Sequence, residues 1–172
     1  GAGMPFWRVM ESKLGKLRII AEDLGEESPD VEQLVLETGF PNMKVLQFAF
    51  SDGLQNKFLP RNYNKNCICY TGTHDNNTTL GWFENATPHE REMFKKCVQA
   101  SGIKEPSLQM IWLAMRSRAN IVIIPMQDWL CLDETARMNF PGTKTGNWEW
   151  RMDKNYYTDE LVHLVKVLSD RR

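Results

Sequence analysis

Four short runs of apolar residues, Leu17–Ala21, Met43–Phe50, Cys67–Tyr70 and Asn120–Met126, restrict what this chain can fold into more than any other feature. Each is rich in Ile, Val, Leu or aromatic residues, and none alternates cleanly with polar ones. A strand with one wet face alternates, whereas a run that stays apolar is covered on both faces, as in a parallel sheet. The segments between the runs read as helices. Ser28 is placed as an N-cap, with Pro29 at the first helical position, Asp30 in the first turn and Gly39 as the stop. Thr87 and Pro88 repeat that design. Ser107–Ala119 carries Leu108, Ile111, Trp112 and Met115 on one stripe, and a final helix is expected from Thr158 to Ser169. This alternation predicts an α/β protein with a parallel sheet, in one domain spanning 1–172. Four strands neither close a barrel nor complete a doubly wound sheet. No Gly-x-Gly-x-x-Gly follows the first run, which argues against a dinucleotide site.

Composition narrows the function classes. Basic and acidic side chains number 21 and 22, with no basic patch, so neither nucleic acid nor an anionic membrane surface is an expected partner. The longest apolar runs are strand-sized, too short to span a bilayer, and Gly1–Trp7 lacks the charge and apolar stretch of a signal peptide. Cys67, Cys69, Cys97 and Cys131 have no metal-ligand spacing; they are expected to be buried thiols, which fits a reducing cytoplasm. Six tryptophans are many for this length, and Trp148 and Trp150 flank Glu149 among polar, turn-forming residues. Two readings stay open for them: indoles stacked on sugar faces, or ordinary packing.

Three of the apolar runs lead directly into polar clusters. Leu17–Ala21 leads into Glu22 and Asp23, Cys67–Tyr70 into Thr71-Gly72-Thr73-His74-Asp75-Asn76-Asn77, and Asn120–Met126 into Gln127 and Asp128. Polar groups gathered at the C-terminal ends of parallel strands mark the active-site face of a (β/α)8 barrel.

From Ile19-Ile20-Ala21-Glu22-Asp23-Leu24-Gly25 onward the sequence resembles the amylomaltase family, family 77 of the glycoside hydrolases. The likeness continues through Met43–Phe50, through Tyr70–Asn76 with Thr78-Thr79-Leu80-Gly81-Trp82, and through Ala136-Arg137-Met138-Asn139 to Pro141-Gly142. Gly146-Asn147-Trp148-Glu149-Trp150-Arg151 closes it, so most of the chain is covered, in the family's order. The resemblance implies strands 5 to 8, the C-terminal half of a (β/α)8 TIM barrel of the α-amylase clan. The family uses an Asp nucleophile after strand 4, a Glu acid/base after strand 5 and an Asp after strand 7 that binds the distorted sugar. By resemblance the Glu is Glu22 and the last Asp is Asp75. The nucleophile's Arg-x-Asp-His motif is absent from these residues, and Gly1-Ala2-Gly3 resembles the loop that follows it. The chain is therefore expected to begin downstream of the nucleophile.

The implied function is retaining 4-α-glucanotransfer: moving α-1,4-glucan segments between maltooligosaccharides, with no cofactor and no metal. In such chemistry one carboxylate attacks the anomeric carbon while an acid roughly 5–5.5 Å away protonates the leaving oxygen. Glu22 as proton donor requires a raised pKa, from partial burial and neighbouring negative charge; as bare residue types, Glu22 and Asp23 also fit an acidic pair at a helix entry. Asp75 and His74 are expected on the sugar 2- and 3-hydroxyls, with Asn76 beside them, whereas spacing alone leaves this run readable as a turn or a metal cluster. Phe48 and Asp52 are expected to line subsites, with core packing the alternative for Phe48; Gln127 and Asn139 are further substrate contacts. Two other functions remain open, an α-glucan hydrolase of the same clan and a catalytically silent carbohydrate-binding half-barrel. Half a barrel is expected to self-associate or to need the N-terminal half.

Overall fold

The computed structural model describes residues 2–25 and 28–170. Its sheet has three parallel strands, β1 (Asn42–Val45), β2 (Cys67–Tyr70) and β3 (Ile121–Ile123), in that spatial order. Met43 faces Ile68 across one pair, and Ile68 faces Ile121 across the other. Helices α1 (Gly3–Leu14) and α2 (Pro29–Thr38) precede β1; α3 (Thr79–Asn85), α4 (Pro88–Val98) and α5 (Pro106–Met115) connect β2 to β3. A short α6 (Met126–Trp129) and a terminal α7 (Asp159–Ser169) complete the helical elements.

Local chemistry explains the helix boundaries. Thr87 and Glu90 form a reciprocal capping box on α4: the Glu90 amide donates to Thr87 Oγ1 at 3.2 Å, and the Thr87 amide donates to Glu90 Oε2 at 2.8 Å. Ser28 occupies the N-cap of α2 with Pro29 next to it, but its hydroxyl makes no capping bond. Gly39 ends α2 in the left-handed region, at φ 67°, where a Cβ would be costly. The final helix lies where expected, and Thr158 caps it through its hydroxyl and the Leu161 amide.

Three of the expected strands are corrected. Among the described residues Leu17–Ala21 pairs only through Ala21, which bridges Asn42 and donates its amide to the Pro41 carbonyl at 2.9 Å. It has a partner, among the described residues, on the β1 side only, and Ile20 is 44% exposed, so little holds it extended. The run Met43–Phe50 stops being a strand at Val45, and Leu46–Phe48 turns as a single 3-10 coil. That turn carries Leu46, Ala49 and Phe50 into complete burial. Asn120–Met126 shrinks to Ile121–Ile123, because Pro125 has no N–H for a ladder and stands as the N-cap of α6.

Side-chain alternation sorts the sheet into two faces. On one face Cys67 and Cys69, with Val122, pack against Phe94, Val98, Met110, Leu113 and Ala114 of α4 and α5. Helix α5 buries a second stripe as well: Leu108, Ile111, Trp112 and Met115 meet Trp129, Leu161 and Leu168 in a cluster with α6 and α7. The other sheet face is less covered. Ile68 and Ile121 border a cavity of about 530 Å³ together with Trp7, Ile20 and Phe40. Ile121 and Ile123 are 49% and 42% exposed. Burial raises the pKa of all of Cys67, Cys97 and Cys131, the last to about 12 with the Glu105 carboxylate adding to the effect. The shift favours the protonated thiol in each; Cys67 is buried as the sequence reading has it, whereas Cys97 and Cys131 are only partly buried.

Candidate active site

The run Thr71–Asn77 leaves β2 and folds as a tight loop before α3. Its shape comes from its own side chains. Asn76 Oδ1 accepts from both the amide and the hydroxyl of Thr73, each at 2.9 Å, so the loop closes on itself across four residues. Gly72 is required by contact: a Cβ there would stand 2.6 Å from Gln47 Nε2 and 3.3 Å from Asn76 Cβ. That Gln47 nitrogen donates to the Asn77 carbonyl at 2.8 Å, tying β1's following turn to the loop.

This loop presents His74 and Asp75 at its exposed tip. The two side chains pair at 3.4 Å between Nε2 and Oδ2. Asn139 Nδ2 donates to Asp75 Oδ1 at 2.6 Å, leaving the outer oxygen toward His74 and solvent. Arg137 braces the same point from behind, donating to the Asp75 carbonyl at 2.7 Å and to the Asn139 carbonyl at 2.8 Å. Its guanidinium lies 4.6 Å from the Phe140 ring centroid, which fixes its plane. Trp148 completes the cluster: its indole, 52% exposed, sits 5.0 Å from the His74 ring. Its backbone is held at φ 63°, rare for a bulky side chain, by a hydrogen bond that its amide donates to the Met138 carbonyl at 2.7 Å.

The structure thus joins His74, Asp75, Asn76 and Asn139 in one place. Phe48 and Asp52 form a second group, lining a polar recess of about 450 Å³ with Gln47, Asn56 and Phe58. Phe48 is 39% exposed, which separates it from the core packing that its neighbours show. Asn56 Nδ2 donates to the Phe48 carbonyl at 2.8 Å and to Asp52 Oδ2 at 3.3 Å, holding that group together. Gln47 belongs to both neighbourhoods, and its position inside an apolar run was the one signal of it in the sequence. Gln127 borders a small gap with Asn76 and Arg137, but its amide is engaged with the Ala136 carbonyl at 3.2 Å. Arg137 was legible only as a member of its motif, whereas Trp148 already stood out as an indole among polar residues, with sugar stacking and packing both open.

Glu22 stands apart. It is exposed, and its carboxylate accepts the Leu24 amide at 3.1 Å. The partial burial expected of an acid catalyst is not supplied by the described residues. Asp23 points elsewhere, accepting from Asn42 Nδ2 at 2.9 Å and from the Met43 amide at 3.1 Å. It anchors the start of β1. The pair does not open a helix, since α2 begins at Pro29. Among the described residues no group of three or more His, Cys, Asp or Glu could hold a metal ion.

A parallel sheet whose strand β2 runs into a loop carrying carboxylate, imidazole and amide groups is an α/β arrangement with a polar cluster at a strand C-terminus. The chain belongs to the 4-alpha-glucanotransferase family, whose model matches residues 1–157. It is 44% identical over 157 residues to the 4-alpha-glucanotransferase of Thermus thermophilus, covering 87% of this chain and 31% of that protein. The Clostridium butyricum enzyme of the same name is 40% identical over 173 residues, covering 98% and 35%. The chloroplastic/amyloplastic one of Solanum tuberosum is 42% identical over 170 residues, covering 99% and 30%. The chain thus spans about a third of the length of these relatives. Among solved structures, an amylomaltase from Streptococcus agalactiae in complex with acarbose superposes with a TM-score of 0.93 at 34% identity, over 97% of this chain and 34% of that one. A Corynebacterium glutamicum amylomaltase, at 17% identity and a TM-score of 0.69 over 95% of this chain and 30% of its own, shares the fold.

Proposed function

We propose that this chain is strands 5 to 8 of the catalytic (β/α)8 barrel of a retaining 4-α-glucanotransferase acting on α-1,4-glucans and maltooligosaccharides. The observation that carries the reading is Asp75, its carboxylate oriented by Asn139 and paired with His74 at a strand exit, in a chain of this family. Leu17–Ala21 takes the place of strand 5, and β1, β2 and β3 those of strands 6, 7 and 8. Asp75 and His74 bond the sugar hydroxyls at the cleavage point, and these bonds tighten as the ring flattens toward the oxocarbenium-like transition state. Glu22 protonates the leaving oxygen and later takes the proton from the acceptor 4-hydroxyl. The nucleophile comes from the other half of the barrel, which also covers Glu22 and gives it the surroundings of a neutral acid. Phe48, Asp52 and Trp148 line flanking sugar positions, with Asn76, Gln127 and Asn139 behind them. The acarbose in the Streptococcus agalactiae amylomaltase supports a sugar ligand for this class of site. None of the four cysteines is joined in a disulfide, which fits a reducing cytoplasm.

Maltotriose distinguishes transfer from hydrolysis. A complete glucanotransferase carrying this chain should convert it to glucose and longer maltooligosaccharides. Accumulation of glucose and maltose alone would assign a hydrolase, and binding of maltoheptaose without any product would assign a silent binding half-barrel.

A further inference from the structure

Asp128 has no part in the chemistry above, yet it is one of the most deeply buried polar residues of the chain, at 1% exposure. It lies in α6, on the element that follows β3. Its carboxylate receives three bonds from the two ends of the loop that presents His74 and Asp75. Oδ2 accepts from Thr71 Oγ1 at 2.5 Å and from Thr79 Oγ1 at 2.9 Å, and Oδ1 accepts from the Thr79 amide at 2.7 Å. Thr71 immediately follows β2, Thr79 opens α3, and both are fully buried. One carboxylate therefore closes the neck of the whole loop, while Arg137 and Asn139 hold its tip. Burying a carboxylate opposes its ionisation, and the three donors work against that effect. Such a group is retained only where its bonds compensate for its desolvation.

We propose that Asp128 is a positioning residue for Asp75: by clamping Thr71 to Thr79 it sets where the Asp75 carboxylate stands relative to the sugar. The proposal rests on the glucanotransferase reading for its effect on rate, but the clamp itself can be observed without activity. Asn at 128 keeps one acceptor oxygen and turns an NH2 group toward donors, so at least one of the three bonds is lost. A reacting group displaced by about 1 Å can cost on the order of 10²-fold in rate.

The test compares Asp128→Asn, Thr71→Val and Thr71→Ser in a complete glucanotransferase carrying this chain, each normalised to folded protein by circular dichroism. Asp128→Asn and Thr71→Val should lower kcat on maltotriose by about 10- to 100-fold, with KM changed by less than about threefold. Thr71→Ser, which keeps the hydroxyl, should restore kcat. In parallel, hydrogen exchange of the amides of residues 73–77 should quicken in Asp128→Asn and Thr71→Val, and not in Thr71→Ser. Should Asp128→Asn fail to fold, the Thr71 pair carries the test alone. Unchanged kcat per folded molecule, or unchanged exchange at 73–77, overturns the proposal. A wild-type enzyme without transfer activity overturns the glucanotransferase reading instead, and the exchange data still decide the clamp.

Discussion

Glu22 and Asp75 occupy opposite situations, and each dictates its own experiment. Glu22 is exposed and bonded only to the nearby Leu24 amide among its described partners, whereas Asp75 is held on two sides by Asn139 and Arg137. If Glu22 protonates the leaving oxygen, Glu22→Gln in the complete enzyme should lower turnover of maltotriose by roughly 10²–10⁴-fold. A glucosyl fluoride, whose leaving group needs little protonation, should be cleaved far better than maltotriose by the same variant. Equal losses on both substrates would remove Glu22 from the acid role. Asp75→Asn preserves the shape of the side chain and the loop bonds through its carbonyl, but weakens the acceptor that faces the sugar. Its kcat should fall well beyond any change in KM, because those bonds strengthen mainly in the transition state. A raised KM with kcat untouched would reduce Asp75 to a ground-state contact.

The site is built at the level of loops, and one glycine lets two of them approach. Gln47, in the turn after β1, reaches the Asn77 carbonyl only because Gly72 has no side chain in its path. Gly72→Ala would force the buried Gln47 amide to leave that bond or shift the loop bearing Asp75. Overpacking of this sort costs typically about 1–3 kcal/mol, to be read from the denaturation midpoint of the complete enzyme. An unchanged midpoint with unchanged kcat would show that Gln47 moves aside freely. Such close approaches are invisible in the linear pattern. The neighbouring helices were far more legible: the capping box of α4 and the Pro29 start of α2 rest on residues within one turn of each other. Helices α1, α3 and α6 were missed; none of them opens with a Ser or Thr N-cap followed by proline, as α2 and α4 do.

At the scale of the whole chain, the sheet is open. Among the described residues one bridge, through Ala21, lies beside β1, and β3 is the other outermost strand. Ile20, Ile121 and Ile123 leave apolar surface next to a cavity of about 530 Å³. Apolar surface removed from water stabilises by roughly 25 cal/mol per Å², and open strand edges recruit further strands. Residues 1–172 alone should therefore self-associate, which light scattering will read as a mass above 20.0 kDa. They should also produce no disproportionation of maltotriose, because no Arg-x-Asp-His occurs among them. A monodisperse monomer would contradict the half-barrel reading, and measurable transfer would put the nucleophile within these residues.

What the sequence by itself determined was local or motif-borne: the helix caps, the parallel α/β pattern, and the run of polar residues after Tyr70. Those features depend on neighbours in the chain, and periodicity records them directly. Strand lengths were not of this kind. Leu17–Ala21 and Asn120–Met126 are apolar enough for longer strands, but a strand persists only as far as a partner supplies ladder bonds. The brace of Arg137 on Asp75 and the clamp of Asp128 on Thr71 and Thr79 join residues 62, 57 and 49 positions apart. Only the tertiary structure decided them, because a side-chain hydrogen bond acts over about 3 Å of space and leaves no period in the sequence that encodes it.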